Sequence, residues 1–258
     1  MDLGIKGKNA LVTGGSRGLG RQAALALARE GVNVAICARG KDRLDETANE
    51  LKALGVNVSA SVADLGDAAA AEAMYERTAG ELGSIDILVN NVGGSMGTSD
   101  LLSSSVDDFQ KVMDVNLWSA VRLMKQALPG MKERGWGRVI NIASIYGREW
   151  GGTAPYMTAK AAMIAATKSA AMTLASTGVT VNAIAPGSIL FPGGSWERFM
   201  NNNTPEAVEE FIARNLPAGK FGWPEPIGAT VAFLASQHAD LIMGACINVD
   251  GGQSHNLF

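Results

Sequence analysis

The chain is poor in the residues that build metal centres and disulfide frameworks. In 258 residues it has two histidines, His238 and His255, and two cysteines, Cys37 and Cys246. Two histidines cannot furnish an ordinary histidine-rich zinc site, so no metal is expected. Each cysteine lies inside an apolar run that reads as a strand, which points to buried free thiols in a reducing compartment. Charge is also scarce. At a net −3 and an isoelectric point near 5.5 there is no basic footprint, and nucleic acid is excluded as an expected partner. No apolar run approaches the ~18 residues of a membrane span, and the stretch from Met1 to Lys8 lacks the apolar core of a secretion signal. The expected location is the cytoplasm, with no membrane partner. The 31 glycines are scattered without a period, which excludes a repeat array or a fibre.

What is present is apolar material, 47% of the chain, enough for the core of one large α/β domain. Short β-branched runs alternate with longer helical stretches. Strands are expected at 9–13, 32–38, 57–62, 85–89, 138–142, 180–184 and 246–249. Helices are expected at 18–29, 42–54, 67–82, 106–134, 156–176 and 224–236. The strands read apolar throughout instead of alternating, as in a parallel sheet buried on both faces. This predicts a doubly wound, seven-stranded parallel sheet with helices on both faces, in a single Rossmann-type domain over 1–258. The irregular stretch at about 188–217, with a short helix near 205–214, reads as a substrate lid.

The first strand runs into Thr13-Gly14-Gly15-Ser16-Arg17-Gly18-Leu19-Gly20. Glycine at 14, 18 and 20 permits a tight turn, close approach of a pyrophosphate and close packing of helix on strand. The phosphates would sit where the helix begins, against its unpaired N–H groups. A plain β–α turn also carries glycines; the position directly after the first strand is what favours a dinucleotide. Such sites usually place a carboxylate ~20 residues on, to hold the ribose 2′-hydroxyl. Here Arg39 stands there, nineteen positions after Gly20. It cannot accept from a hydroxyl but can pair with a 2′-phosphate, and Arg17 is a second cation in reach. Together they predict NADP(H) in preference to NAD(H). Asp64 either contacts the adenine or caps the helix that follows.

Tyr156-Met157-Thr158-Ala159-Lys160 puts a phenol and an ammonium one helical turn apart on one face. A hydride-accepting carbonyl needs a proton, and a nearby cation would bring a phenol towards the working pH. Ser144 follows the fifth strand, at the sheet end where ligands bind, and is placed to hydrogen-bond the reacting oxygen.

With these pieces the chain resembles the short-chain dehydrogenase/reductase (SDR) family over essentially its whole length. The matching residues are Thr13-Gly14, Gly18, Gly20, Asn90-Asn91-Val92-Gly93, Asn116, Ser144, Tyr156 with Lys160, Pro186-Gly187, and Val249-Asp250-Gly251-Gly252. The resemblance implies a catalytic tetrad of Asn116, Ser144, Tyr156 and Lys160. In it Asn116 holds a water on a proton relay, and Lys160 also binds the nicotinamide ribose. It implies cofactor contacts from Gly14, Ser16, Arg17, Gly18, Leu19, Gly20, Arg39, Asp64, Leu65, Asn91, Gly93, Pro186, Gly187 and the backbone of Ile189. It implies a homotetramer, or a homodimer, built through the helices at 106–134 and 156–176. The apolar Leu257-Phe258 end either frays or covers a neighbouring subunit.

Three departures stand out. Val92 replaces a common alanine, Phe191 stands where a carboxamide-holding threonine is usual, and Ser144 and Tyr156 are twelve positions apart, one fewer than in many members. Tyr146, Trp150 and Trp196, with Met96, Phe191 and Phe199, are expected to wall the substrate pocket. Arg148 either binds an anion or pairs with Glu149. Within the family the chain most resembles 3-oxoacyl-(acyl carrier protein) reductases. The alternatives are an enzyme of a cyclic, sugar or aromatic alcohol or ketone, and a catalytically silent NADP-binding regulator. Retention of all four tetrad residues argues against the regulator.

Overall fold

A computed structural model describes residues 1–257. Seven strands, β1 (Asn9–Thr13), β2 (Asn33–Ala38), β3 (Val58–Val62), β4 (Ile87–Asn90), β5 (Gly137–Ile142), β6 (Val179–Pro186) and β7 (Cys246–Val249), form one sheet. All pairings are parallel, in the order β3-β2-β1-β4-β5-β6-β7. The central strand β1 is flanked by β2 and β4, with Ala10 facing Val34 on one side and Ile87 on the other. Winding therefore reverses beside β1, and the connections leaving β1 and β4 diverge to open a crevice at the carboxyl edge.

The helices are α1 (Gly18–Arg29), α2 (Lys41–Ala53), α3 (Ala68–Leu82), α4 (Val106–Met113), α5 (Ser119–Glu133), α6 (Ala154–Leu174), α7 (Ser195–Asn201), α8 (Pro205–Asn215) and α9 (Glu225–Ala235). They cover both faces. On one face Val12, Val34, Ile36, Val89, Ile140 and Ile184 pack against Leu25, Leu27, Ile227 and Val231 of α1 and α9. On the other, Leu11, Leu88, Val139 and Val181 pack against Met74, Leu123, Met124 and Leu174 of α3, α5 and α6. Successive strand residues feed opposite layers, which is why the strands read as unbroken apolar runs.

The structure departs from expectation at several element ends, with β6 running on to Pro186 and α6 starting at Ala154, and more informatively in three further places. The helix expected over 106–134 is broken by a wider π-helical turn, Asp114–Trp118, between α4 and α5. The apolar period runs straight through it, so spacing alone could not show the break; such turns often mark functional sites. Ser195–Asn201 forms a helix ahead of the expected one in the 188–217 stretch. Its Trp196 and Phe199 rings pack with Phe211 and Phe221 at centroid separations of 4.9–5.9 Å, a small aromatic core of that segment. The fourth strand begins at Ile87, because the ladder with β1 starts at Ala10 while the Asp86 carboxylate is engaged by the Asn9 N–H.

Candidate active site

The crevice is a cleft of about 1710 Å³, lined from the glycine loop at one end to the loops before α4 and α6 at the other. The glycine loop is braced from β4. The Thr13 hydroxyl accepts from the N–H groups of Asn91 (2.8 Å) and Val92 (3.1 Å), and the Asn91 amide donates to the carbonyls of Thr13 (2.8 Å) and Gly14 (3.3 Å). Gly20 is required here: a Cβ would run into the Gly14 carbonyl and the Asn91 amide. Arg17 precedes α1 and offers no side-chain acceptor to the first turn, so the helix N–H groups stay open to the cleft. The Phe191 ring lies over the start of this helix, where a Cβ on Gly18 would sit 2.6 Å from the ring.

Arg39 follows β2 at the cleft edge, and Arg43 on α2 and Arg198 on α7 join it and Arg17 on the lining. Arg43 and Arg198 were not expected. Neither has a sequence signal, since one lies on a charged exposed helix and the other on the helix that spacing missed. Asp64 does not cap α3, because that cap is Asp67, whose carboxylate accepts from the Ala70 N–H. The Asp64 carboxylate accepts from the Gly66 N–H at 3.0 Å while its residue lines the cleft beside Leu65.

At the reacting end, Ser144 follows β5 and caps a short turn at Ile145–Gly147, its Oγ accepting from the Tyr146 N–H at 3.2 Å. The Tyr156 phenol, on the first turn of α6, lies close enough to the Ser144 hydroxyl for that group to act on its ionisation. Four residues along the same helix, Lys160 is buried, its Nζ donating to the Ile142 carbonyl at 2.8 Å and lying 5.6 Å from the centre of the Tyr156 ring. Burial lowers the Lys160 ammonium to about 7. Burial raises the Tyr156 phenol, and the Ser144 hydroxyl opposes the rise. The direction for Tyr156 is thus opposite to the one expected from a charged neighbour, because desolvation by burial dominates.

Asn116 lies in the π turn and is fully buried. Its amide donates to the carbonyls of Gly94 (2.9 Å) and Val112 (2.9 Å), and its side-chain oxygen accepts from the Gly94 N–H (3.0 Å). The side chain thereby fixes the Gly93-Gly94 loop between β4 and the cleft. Gly93 admits this packing, because a Cβ there would lie 2.5 Å from Asn116 Oδ1 and 2.9 Å from Lys160 Nζ.

At the end of β6, the chain turns from Pro186 into Gly187 under the C-terminal segment. The buried Gln253 accepts from the Ser188 N–H at 2.7 Å. The bonds flanking Ile189, from Leu190 N–H to the Gly222 carbonyl and from Gly222 N–H to the Ser188 carbonyl, are both 2.9 Å long. They leave the backbone groups of Ile189, a residue of the cleft lining, unbonded to Gly222. Ser188 Oγ is buried without a partner among the described residues.

Tyr146, Trp150 and Met96 line the substrate end, joined by Leu101, Leu102, Phe109 and Met157, which the sequence did not single out. Trp196 also borders the cleft, but its ring belongs to the aromatic core around Phe211, and Phe199 is absent from the lining. Arg148 neither pairs with Glu149 nor faces the cleft: it donates to the Cys246 carbonyl (3.0 Å) and to Asn248 Oδ1 (2.5 Å). Glu149 instead accepts from Ser254 Oγ (3.1 Å) and the His255 N–H (2.9 Å). Both residues anchor the substrate loop to β7 and the C-terminal segment. Phe258 lies outside the described residues, and Leu257 is exposed.

A parallel sheet with its glycine loop, phenol, hydroxyl and buried ammonium along one crevice defines a dehydrogenase or reductase. The chain belongs to the short-chain dehydrogenase/reductase family, an oxidoreductase family acting on CH–OH and C=O groups. The family model described as enoyl-(acyl carrier protein) reductase matches residues 14–254. The 3-oxoacyl-[acyl-carrier-protein] reductase of Staphylococcus aureus is 39% identical over 247 residues, covering 95% of this chain and 97% of the relative. A variant of actinorhodin polyketide ketoreductase, solved with NADPH, superposes with a TM-score of 0.89 at 33% identity, over 96% of this chain and 98% of that one. A 7α-hydroxysteroid dehydrogenase, solved with NADH and 7-oxo glycochenodeoxycholic acid, gives 0.89 at 28% identity over 100% and 98%.

Proposed function

We propose that this enzyme uses NADP(H) and moves a hydride between the nicotinamide and a carbonyl or secondary alcohol, with Tyr156 as the acid and base. The observation that carries the reading is the convergence of Ser144, Tyr156 and Lys160, with Lys160 5.6 Å from the Tyr156 ring centre, at the far end of a cleft that starts at the glycine loop. The residues fit a dinucleotide. The uncapped start of α1 suits a pyrophosphate, the unpartnered Ser188 Oγ and the Ile189 backbone suit a carboxamide, and Arg17 with Arg39 suits a 2′-phosphate. Gly14, Ser16, Leu19, Asp64, Leu65, Asn91, Gly93, Pro186 and Gly187 complete the cofactor's surroundings, all on the same lining.

When bound, the dinucleotide supplies or accepts the hydride. In the reducing direction Tyr156 gives its proton to the substrate oxygen, and the Ser144 hydroxyl holds that oxygen in place. Lys160 lies beneath the phenol, where its protonated form favours the tyrosinate, and holds the ribose. Asn116 keeps the Gly93-Gly94 loop and Lys160 in register. The decisive test is a panel of ketones and alcohols followed by NADPH absorbance, with Tyr156→Phe as the control. Tyr156→Phe should bind cofactor normally and lose turnover by ~10²-fold or more; near-normal turnover would remove Tyr156 from the chemistry.

The substrate reading follows from charge. The cations on the lining other than Lys160, namely Arg17, Arg39, Lys41, Arg43 and Arg198, all belong to the adenosine end. The substrate end is apolar and aromatic, through Met96, Leu101, Leu102, Phe109, Tyr146, Trp150 and Met157. This supports an uncharged cyclic or aromatic ketone, or the acyl part of a 3-oxoacyl thioester; an acidic carrier protein finds no basic rim there. The 188–217 segment acts as the lid of a single catalytic domain. A homotetramer is supported by exposed Val106 and Trp118 and by the unpartnered Arg122 and Gln126 polar atoms on the α4 and α5 side. Two free thiols, Cys37 and Cys246, suit the cytoplasm.

A further inference from the structure

We propose that Arg198, carried on α7 of the lid, is a specificity-determining residue for the cofactor's 2′-phosphate, which ties the lid to the adenosine end of the cleft. This inference rests on the NADP(H) reading.

Three guanidinium groups from three separate elements converge on Gly193, two of them on its neutral carbonyl. Arg17 Nη1 and Arg198 Nη1 both donate to the Gly193 oxygen, each at 3.0 Å. A Cβ built on Gly193 would lie 2.6 Å from Arg17 Nη1 and 2.8 Å from Arg43 Nη1. Arg39 stands close enough that its charge, with those of Arg43 and Arg198, acts on Arg17. Among the described residues none of the four forms an ion pair, although nearby Arg21 pairs with Glu50 and Lys41 with Asp45. The adjacent carboxylate, Glu197, is engaged by the Gly193 N–H at 2.7 Å.

Like charges gathered on a single acceptor repel one another, and a carbonyl occupies one N–H of each fork. A phosphate dianion relieves the repulsion and offers planar forks several acceptors at once. Arg17 and Arg39 are held by the sheet's own loops, so they read the phosphate wherever the lid lies. Arg198 reads it only when α7 is seated. The same helix carries Trp196, which borders the cleft, so seating Arg198 on the phosphate also fixes that stretch of the cleft wall.

The test uses two fragments that differ only in that group, adenosine 2′,5′-bisphosphate and 5′-AMP, titrated calorimetrically into wild type, Arg198→Ala and Arg198→Lys. Hydrogen exchange of residues 191–201 is followed in parallel. Wild type should prefer the bisphosphate; Arg198→Ala should cut that preference about tenfold, with Arg198→Lys between them. The bisphosphate, and not 5′-AMP, should protect 191–201 in wild type, and this protection should vanish in Arg198→Ala. An unchanged preference in Arg198→Ala, or an equal loss for both fragments, overturns the proposal, since the residue would then only prop Gly193. No preference in wild type is a different result: it overturns the NADP(H) reading itself.

Discussion

The Lys160 ammonium donates to the main-chain oxygen of Ile142 across 2.8 Å, from a site closed to solvent beneath the Tyr156 ring. One carbonyl is a weak counterpart for a buried charge, and this explains why desolvation lowers the group from 10.5 to about 7.

That depression makes stability depend on pH with a definite sign. Between about 7 and 10.5 the unfolded chain binds a proton at Lys160 that the folded chain does not, so stability contributed through this group rises with pH over that window. Below about 7 both states are protonated and the full penalty is present. Lys160→Met should therefore gain most in melting temperature relative to wild type below pH 7, and the gap should narrow towards pH 10. A gap that stays constant from pH 6 to 10 would contradict the depressed ammonium.

Arg39→Asp should lower the ratio of kcat/KM for NADPH over NADH at least about tenfold, by removing a charge-assisted bond and adding a repulsive carboxylate. Arg17, Arg43 and Arg198 remain in this variant, so its residual preference measures how much of the 2′-phosphate recognition they hold. Steady-state kinetics with both cofactors decides it, and an unchanged ratio would place the phosphate elsewhere.

Gly93→Ala should both destabilise and inactivate. The new methyl would press on Asn116 Oδ1 and Lys160 Nζ at 2.5 and 2.9 Å, neither of which can leave without losing buried hydrogen bonds. Overpacking of this kind costs about 1–3 kcal/mol. Scanning calorimetry should show a lower melting temperature, and turnover should fall more than the loss of folded protein accounts for. Wild-type melting and activity would mean that the Gly93 loop has room that the packing denies.

Much of the fold is visible along the chain because strand burial leaves a local record. β1, α1 and β7 begin and end where their residues predict, since apolar runs meet Gly14, Gly18 and Gly244 or charged turns at their ends. The π turn at Asp114–Trp118 leaves no such record: its residues continue the apolar period, and the break is favourable only because Asn116 can bond Gly94, twenty-two positions away. For the same reason Asn116 is conspicuous in three dimensions and ordinary in one.

The chemistry of the reacting end was likewise set by spacing, since residues four apart on a helix share a face whatever surrounds them. Tyr156 and Lys160 needed no tertiary information to be paired. Their electrostatics did. Whether a lysine lowers a phenol or is itself discharged by burial depends on the solvent excluded by β5 and the Gly93 loop, which no local pattern encodes. Arg148 is the clearest case of the same kind. Its neighbour Glu149 is the obvious partner in sequence, yet β7, about a hundred residues on, takes the guanidinium. Local residue order determined the strands, the glycine loop and the helix that pairs Tyr156 with Lys160, because those depend on contacts within a few residues. Tertiary structure alone decided which charges are paired, which are buried, and which four arginines meet, because those depend on segments that only the sheet brings together.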